Sequence, residues 1–301
     1  MTTAKPARFA DDYLAQLERF AARSPLPRIR ALHLPPAQPN NDGRGEFCAI
    51  ELDDGSLGLS YVLLDDTLAH LHAQPKHTAL SGTNALDLAR RYASGSGIDK
   101  TLGFAAANAL TRCLYDRAGF RPDDSTDSIG SLQPAPGEAI GMIGLFRPLL
   151  GRIIEAGARL TVVELKAELA GEHEGYRVTT DAEALATCTK VVSTSTLLLN
   201  DTLDRMLACC RQARWFAMIG PSAGCLPDAL FARGVTFVGG SWITDPAAFI
   251  DALRSGTRSA SASKYGLTRD NYPGFEALLA RLGSRNSPYA CSPYNPAPWT
   301  R

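Results

Sequence analysis

The residues best suited to chemistry in this chain stand at the ends of short apolar runs. Gly141-Met-Ile-Gly-Leu-Phe-Arg147 closes one run, Glu164 a second, Ser193-Thr-Ser-Thr196 with Asn200 a third, Gly220-Pro-Ser-Ala-Gly224 a fourth, and Gly239-Gly-Ser-Trp242, leading to Asp245, a fifth. Glycines that expose backbone, hydroxyls and one carboxylate are the groups that grip a small polar molecule. The candidate contacts are therefore Gly141, Met142, Gly144, Phe146 and Arg147 after the first run, and Glu164 after the second. Ser193, Thr194, Ser195, Thr196 and Asn200 follow the third, Pro221 and Ser222 the fourth, Trp242 and Asp245 the fifth. Asn108, the polar interruption in Phe104-Ala-Ala-Ala-Asn-Ala-Leu, joins them as either a ligand contact or a core amide satisfied by backbone.

The first turn raises a nucleotide question. A dinucleotide fingerprint needs Gly-x-Gly-x-x-Gly, but counting from Gly141 puts Ile143 and Phe146 where the second and third glycines belong. Those side chains would fill space that a pyrophosphate requires, although Glu164 lies about twenty residues on, where a ribose-binding acid sits. Amides at a helix start could still take an anion, with Arg147 at its mouth. Ser193–Thr196 could hold a phosphate or carboxylate, or simply cap the following helix. No Walker A sequence is present.

Metal ligation has little to build on. Among His33, His70, His72, His77 and His173 only His70-Leu-His72 with His77 cluster, without a zinc spacing. Seven scattered cysteines, an odd number lacking Cys-x-x-Cys, read as small core residues of a reducing compartment; Cys225 stands apart because its loop borders the expected cleft.

The elements that must position these residues change character along the chain. An amphipathic helix near Ala10–Ala22 precedes a hairpin, Phe47–Leu52 and Leu57–Leu64 around Asp53-Asp-Gly-Ser. Helices follow over Thr83–Tyr92 and Lys100–Ala118, the latter with Asp99 as N-cap and Gly119 as stop. Asp66–His72 fits strand or helix. A Pro-rich, polar stretch then marks a linker. Beyond it short strands (139–143, 160–164, 190–192, 215–219, 235–238) alternate with helices (to Gly157, 181–187, 200–212, 227–233, 246–254). Such alternation predicts an α/β fold with an open parallel sheet of the Rossmann-like class. The expected divisions are an α+β domain over 1–125, a linker over 126–137, the parallel-sheet domain over 138–260 and a C-terminal extension over 261–301, ending as an extended tail.

Lys plus Arg equals Asp plus Glu at 31 each, so charge does not favour nucleic acid. No apolar run is long enough to span a bilayer and the first residues lack a secretory core, so a cytoplasmic location is expected.

Taken in order, Gly141-Met-Ile-Gly-Leu-Phe-Arg-Pro-Leu149, Val162-Val-Glu-Leu165, Ser193-Thr-Ser-Thr-Leu-Leu-Leu-Asn-Asp-Thr-Leu203, Ile219-Gly-Pro-Ser-Ala-Gly-Cys-Leu-Pro227 and Gly239-Gly-Ser-Trp-Ile-Thr-Asp-Pro246 resemble the "putative heavy-metal-chelation" family, a domain of unknown function. Leu57-Gly-Leu-Ser60 and Thr101-Leu-Gly-Phe-Ala-Ala-Ala-Asn-Ala-Leu110 resemble the enolase N-terminal-like domain that precedes it. The resemblance implies a smaller α+β domain packed on a Rossmann-like one, a small-molecule ligand in the cleft between them, and a role in heavy-metal chelation or metallocofactor metabolism. Any transition metal would be expected as a metal-organic chelate, since soft ligands are sparse. Two other functions fit the residues: a nucleotide- or S-adenosylmethionine-dependent transferase using Glu164, and a non-catalytic interaction protein, most simply a homodimer.

Overall fold

The computed structural model describes residues 8–37, 46–74, 79–125, 132–257 and 259–282. Its first layer is built by helix α1 (Phe9–Arg23), strands β1 (Ile29–His33), β2 (Phe47–Leu52) and β3 (Leu57–Tyr61), and helices α2 (Thr67–Ala73), α3 (Ala85–Ser94) and α4 (Gly97–Arg117). The strands form an antiparallel sheet in the order β1-β2-β3. Asp53-Asp-Gly-Ser closes the hairpin as expected: Gly55 takes φ +86° and the Asp54 carboxylate accepts from the Ser56 amide. In α1 the spacing of Tyr13, Leu14, Leu17 and Phe20 buries one face.

Helix α4 is buried almost all round and runs between α3 and the small sheet. Two glycines allow this. A Cβ on Gly103 would lie 2.3 Å from the Tyr92 amide nitrogen, and one on Gly58 2.1 Å from that of Ala109. The helix starts at Gly97, before the expected Asp99 cap, and leaves Asp99 in its first turn, where a carboxylate favours the helix dipole. Asp66–His72 resolves as helix α2 rather than strand.

The second layer is an eight-stranded sheet formed by β4 (Ala139–Ile143), β5 (Arg159–Val163), β6 (Gly171–His173), β7 (Tyr176–Thr179), β8 (Lys190–Thr194), β9 (Trp215–Ile219), β10 (Phe237–Ile243) and β11 (Ala262–Leu267). Its order is β11-β10-β9-β8-β4-β5-β7-β6, parallel throughout except at the two edge pairs, β10–β11 and β6–β7. Helices α5 (Arg147–Glu155), α6 (Leu203–Cys209), α7 (Asp228–Ala232), α8 (Pro246–Ser255) and α9 (Phe275–Arg281) complete it. One apolar core fills the space between the first layer and the sheet, and a second, around Ile140, Met142, Ile153 and Val162, covers the opposite face. Asp245 caps α8, accepting from the Ala248 amide, and Pro246 opens it.

Several elements differ from expectation. The helix expected from Asn200 starts at Leu203, because Asn200 spends its side-chain oxygen on the amide and hydroxyl of Thr202 and Asp201 sits at φ +56°. The helix expected over 181–187 is a short 3-10 turn, Ala182–Leu185. Strand β10 runs on to Ile243 rather than stopping at Val238, since Gly239 and Gly240 continue the strand beside β11; a Cβ on Gly240 would strike the Tyr265 ring oxygen at 2.4 Å. Residues 262–281, set apart in the sequence as an extension, supply the edge strand β11 and helix α9, which touches α1 and α4. Just before the expected linker, Ser125 donates its amide to the Lys264 carbonyl on β11. The expected tail lies outside the described residues.

Candidate functional site

The chain leaves β4 toward β5 on one side and later returns to β8 on the other, so the turns after β4 and β8 part company. Ligands of open α/β sheets bind where strand order reverses in this way. A cavity of about 480 Å³ opens there. Its sheet side comes from Gly144, Leu145 and Phe146 after β4, Glu164, Leu165 and Lys166 after β5, Thr194–Leu197 and Asn200 after β8, and Gly220, Pro221 and Ser222 after β9. Its other side is the open end of the β2–β3 hairpin: Glu46, Phe47 and Tyr61, with Leu63 and Leu64.

Nine of the residues singled out in the sequence therefore meet in one place: Gly144, Phe146, Glu164, Thr194, Ser195, Thr196, Asn200, Pro221 and Ser222. The turn after β4 is held from within. Glu164 accepts from the Leu145 amide at 3.1 Å and from the Leu165 amide at 2.8 Å, and the Phe146 amide points to the Met142 sulfur at 3.3 Å. Amides that could have met a phosphate are thus already engaged, and Glu164 serves the turn. Gly144 is needed at φ +82°, where a Cβ would also press on Thr194 at 3.1 Å.

After β8 the alternatives for Ser193–Thr196 divide residue by residue. Thr194 caps the short 3-10 turn, accepting from the Thr196 amide at 3.3 Å. Ser195 and Ser222, both buried, hydrogen-bond to each other at 2.9 Å across the ends of β8 and β9. Gly220 makes this closeness feasible, since a Cβ there would lie 2.6 Å from the Ser195 hydroxyl oxygen.

The other candidates lie elsewhere. Gly141 and Met142 are interior strand positions; a Cβ on Gly141 would meet Leu185 at 2.7 Å, so that glycine serves packing. Ser193 is buried and does not line the cavity. Arg147 is exposed on the first turn of α5, away from the cavity lining, and Asp245 is spent as a cap. Asn108 and Trp242 belong to a narrow cavity of about 30 Å³ on the far side of Pro221, close to the share of one water. Asn108 there accepts from Tyr13 and donates to the Leu59 and Ser222 carbonyls, so it is the satisfied core amide. Trp242 carries the Arg112 guanidinium 3.8 Å above its ring.

Among the lining residues that escaped the sequence reading are Glu46, Phe47, Tyr61 and Lys166. Burial raises the Glu46 carboxyl above its ordinary range. Burial also raises the Tyr61 phenol, helped by the negative charges of Glu46 and Glu164. The only hint in the sequence is that Phe47 and Tyr61 flank the open end of the hairpin, where the register pairs them.

A metal finds no ready seat. Among the described residues no three His, Cys, Asp or Glu side chains come together to hold an ion. Cys225 is buried, and burial pushes its thiol up to about 12, so it is not a thiolate facing the cleft. The other five described cysteines are likewise buried and free. His72 bonds to the Pro35 carbonyl and His33 to Glu51, while His77 lies outside the described residues.

Two family models match the chain, one over residues 127–269 and one over 45–111, both described as "Putative heavy-metal chelation". The chain thus matches the DUF364 and DUF4213 families. A DUF364-family protein of unknown function from Desulfitobacterium hafniense is 19% identical, with a TM-score of 0.65 over 87% of this chain and 98% of its own. Another, from Pyrococcus horikoshii, is 18% identical, with a TM-score of 0.63 over 86% and 99%. At such identities the likeness shows the fold, a mixed α/β architecture with a large, mostly parallel sheet. No curated protein matches. Among the described residues no helix is long and apolar enough to cross a membrane.

Proposed function

We propose that this protein binds a small organic molecule in the cleft between the hairpin and the strand ends. The observation that carries the proposal is the cavity of about 480 Å³ at the reversal point of the sheet, walled by both layers. Counted by its parallel strands, the sheet runs 6-5-4-1-2-3, the order of a Rossmann-like domain, which supports that assignment for residues 138–260. The first layer, three antiparallel strands with helices, is compatible with an enolase N-terminal-like domain over 1–125.

The family description points to metal, but the residues do not fit a bare soft ion. The cleft offers carboxylate, hydroxyl and amide oxygen, and the described thiols are all in the core. A part in metal handling therefore rests on the cleft taking an organic ligand, free or as a metal chelate. The transferase alternative loses support because Glu164 and the Leu145 amide satisfy each other. A cytoplasmic setting is supported by six free, unpaired cysteines among the described residues.

Native mass spectrometry of protein taken from cells tests the proposal. The wild type is expected to carry an organic adduct that Thr196→Trp, which fills the cleft, abolishes. No adduct, or an adduct indifferent to that substitution, would refute the cleft as the site.

A further inference from the structure

The two sides of the cleft differ in how fully their polar groups are paired. On the sheet side Glu164 has two amide donors, Thr194 caps a turn and Asn200 holds Thr202. On the hairpin side Glu46 is half-buried; its backbone carbonyl accepts from the Val62 amide, but its carboxylate forms no hydrogen bond or ion pair with any described residue. Lys166, the one cation among the described lining residues, is exposed on the sheet side. Burial raises the Glu46 carboxyl, and no cation among the described residues acts against it. A carboxylate removed from water without a partner is costly, and an incoming cation would offset that cost.

Two rings stand beside it. Phe47 follows in the chain and Tyr61 faces Phe47 across the hairpin, their centroids 5.7 Å apart at 70°. Both line the cavity. Aromatic faces next to a carboxylate attract organic cations and discriminate against anions. The Glu164 charge reaches the same corner, since it acts on the Tyr61 phenol. At the floor the two buried hydroxyls of Ser195 and Ser222 carry two hydrogens, and their mutual bond uses one. One donor is left for an acceptor from outside. The lining also includes the apolar side chains of Leu63, Leu64, Leu145 and Phe146.

We infer that the cleft selects an organic ammonium: a protonated amine against Glu46, Phe47 and Tyr61, carried on an apolar body, with an acceptor that reaches the Ser195–Ser222 pair. The inference rests on the cleft being the ligand site.

Three probes of equal length test it: hexylammonium, hexanol and hexanoate, titrated into the full chain and followed through backbone amide shifts of cleft residues. Hexylammonium is expected to bind at least tenfold more tightly than hexanoate, with hexanol between them. Glu46→Gln, which keeps shape and removes charge, should bring hexylammonium to the affinity of hexanol and leave hexanol unchanged. Equal or tighter binding of hexanoate, or a preference for ammonium that survives Glu46→Gln, would overturn the inference. If hexanol binds in the cleft without any effect of charge, the ammonium assignment fails and the cleft stands. If none of the three shifts the cleft amides, both fail.

Discussion

The loop after β9 has a cavity on each side, and the two are built on opposite terms. Under Trp242 the cavity is about 30 Å³ and most of its polar groups are used up, the buried Tyr115 hydroxyl excepted: Asn108 makes three hydrogen bonds, and Arg112 donates to Asp116 and the Ile243 carbonyl while stacking on the indole. Across Pro221 the cavity is about 480 Å³, a carboxylate stands unpaired and a hydroxyl hydrogen is unspent. A satisfied polar network fixes a structure, whereas unsatisfied groups around an open volume cost stability and are explained by what comes to meet them. The narrow side holds the layers together, and the wide side is the site proposed for a ligand.

Substitutions on the narrow side should therefore cost more stability than those on the wide side. The largest effect is expected for Gly58→Ala on the narrow side: the new Cβ would meet α4 backbone at 2.1 Å, which cannot yield as a side chain could, and a loss of about 3 kcal/mol in denaturant unfolding is expected. Asn108→Ala should follow at about 2 kcal/mol, since it strips partners from the Tyr13 hydroxyl and from the Leu59 and Ser222 carbonyls. On the wide side Ser195→Ala should cost about 1 kcal/mol or less, because it removes a single hydroxyl–hydroxyl bond.

The smallest effect carries a sign. The Glu46 carboxyl titrates higher in the folded protein than in the unfolded chain, so the folded state binds its proton more tightly. Its contribution to stability falls as pH rises from the ordinary carboxylate range through the raised folded value. Glu46→Gln should match the wild type in acid and be slightly more stable at neutral pH, as denaturant midpoints at the two pH values would reveal. A variant less stable at neutral pH would mean that Glu46 has a partner after all.

What the sequence disclosed follows the same division. Strand ends could be placed because β4 and β9 are short apolar runs closed by glycine, and the cleft-side residues after four of these ends could be gathered from that alone. Asn108 could not be assigned, because its three partners come from α1, β3 and the loop after β9, all remote in the chain. Glu46, Phe47 and Tyr61 were missed for a related reason: nothing in a hairpin says which layer its open end will face. The hairpin β6–β7 was also missed, since Gly171–His173 is wholly exposed and shows no apolar alternation; it is placed by the pairing of β7 with β5.

The central claim is that the wide cavity takes an organic ligand through oxygen groups rather than a bare metal through thiolates. A crystal structure of the protein equilibrated with small-molecule extract from its own cells tests this most directly. Density for an organic molecule touching Glu46 and the Ser195–Ser222 pair is the predicted result. A metal ion bound at cysteine sulfur, with the cleft holding only solvent, would contradict it.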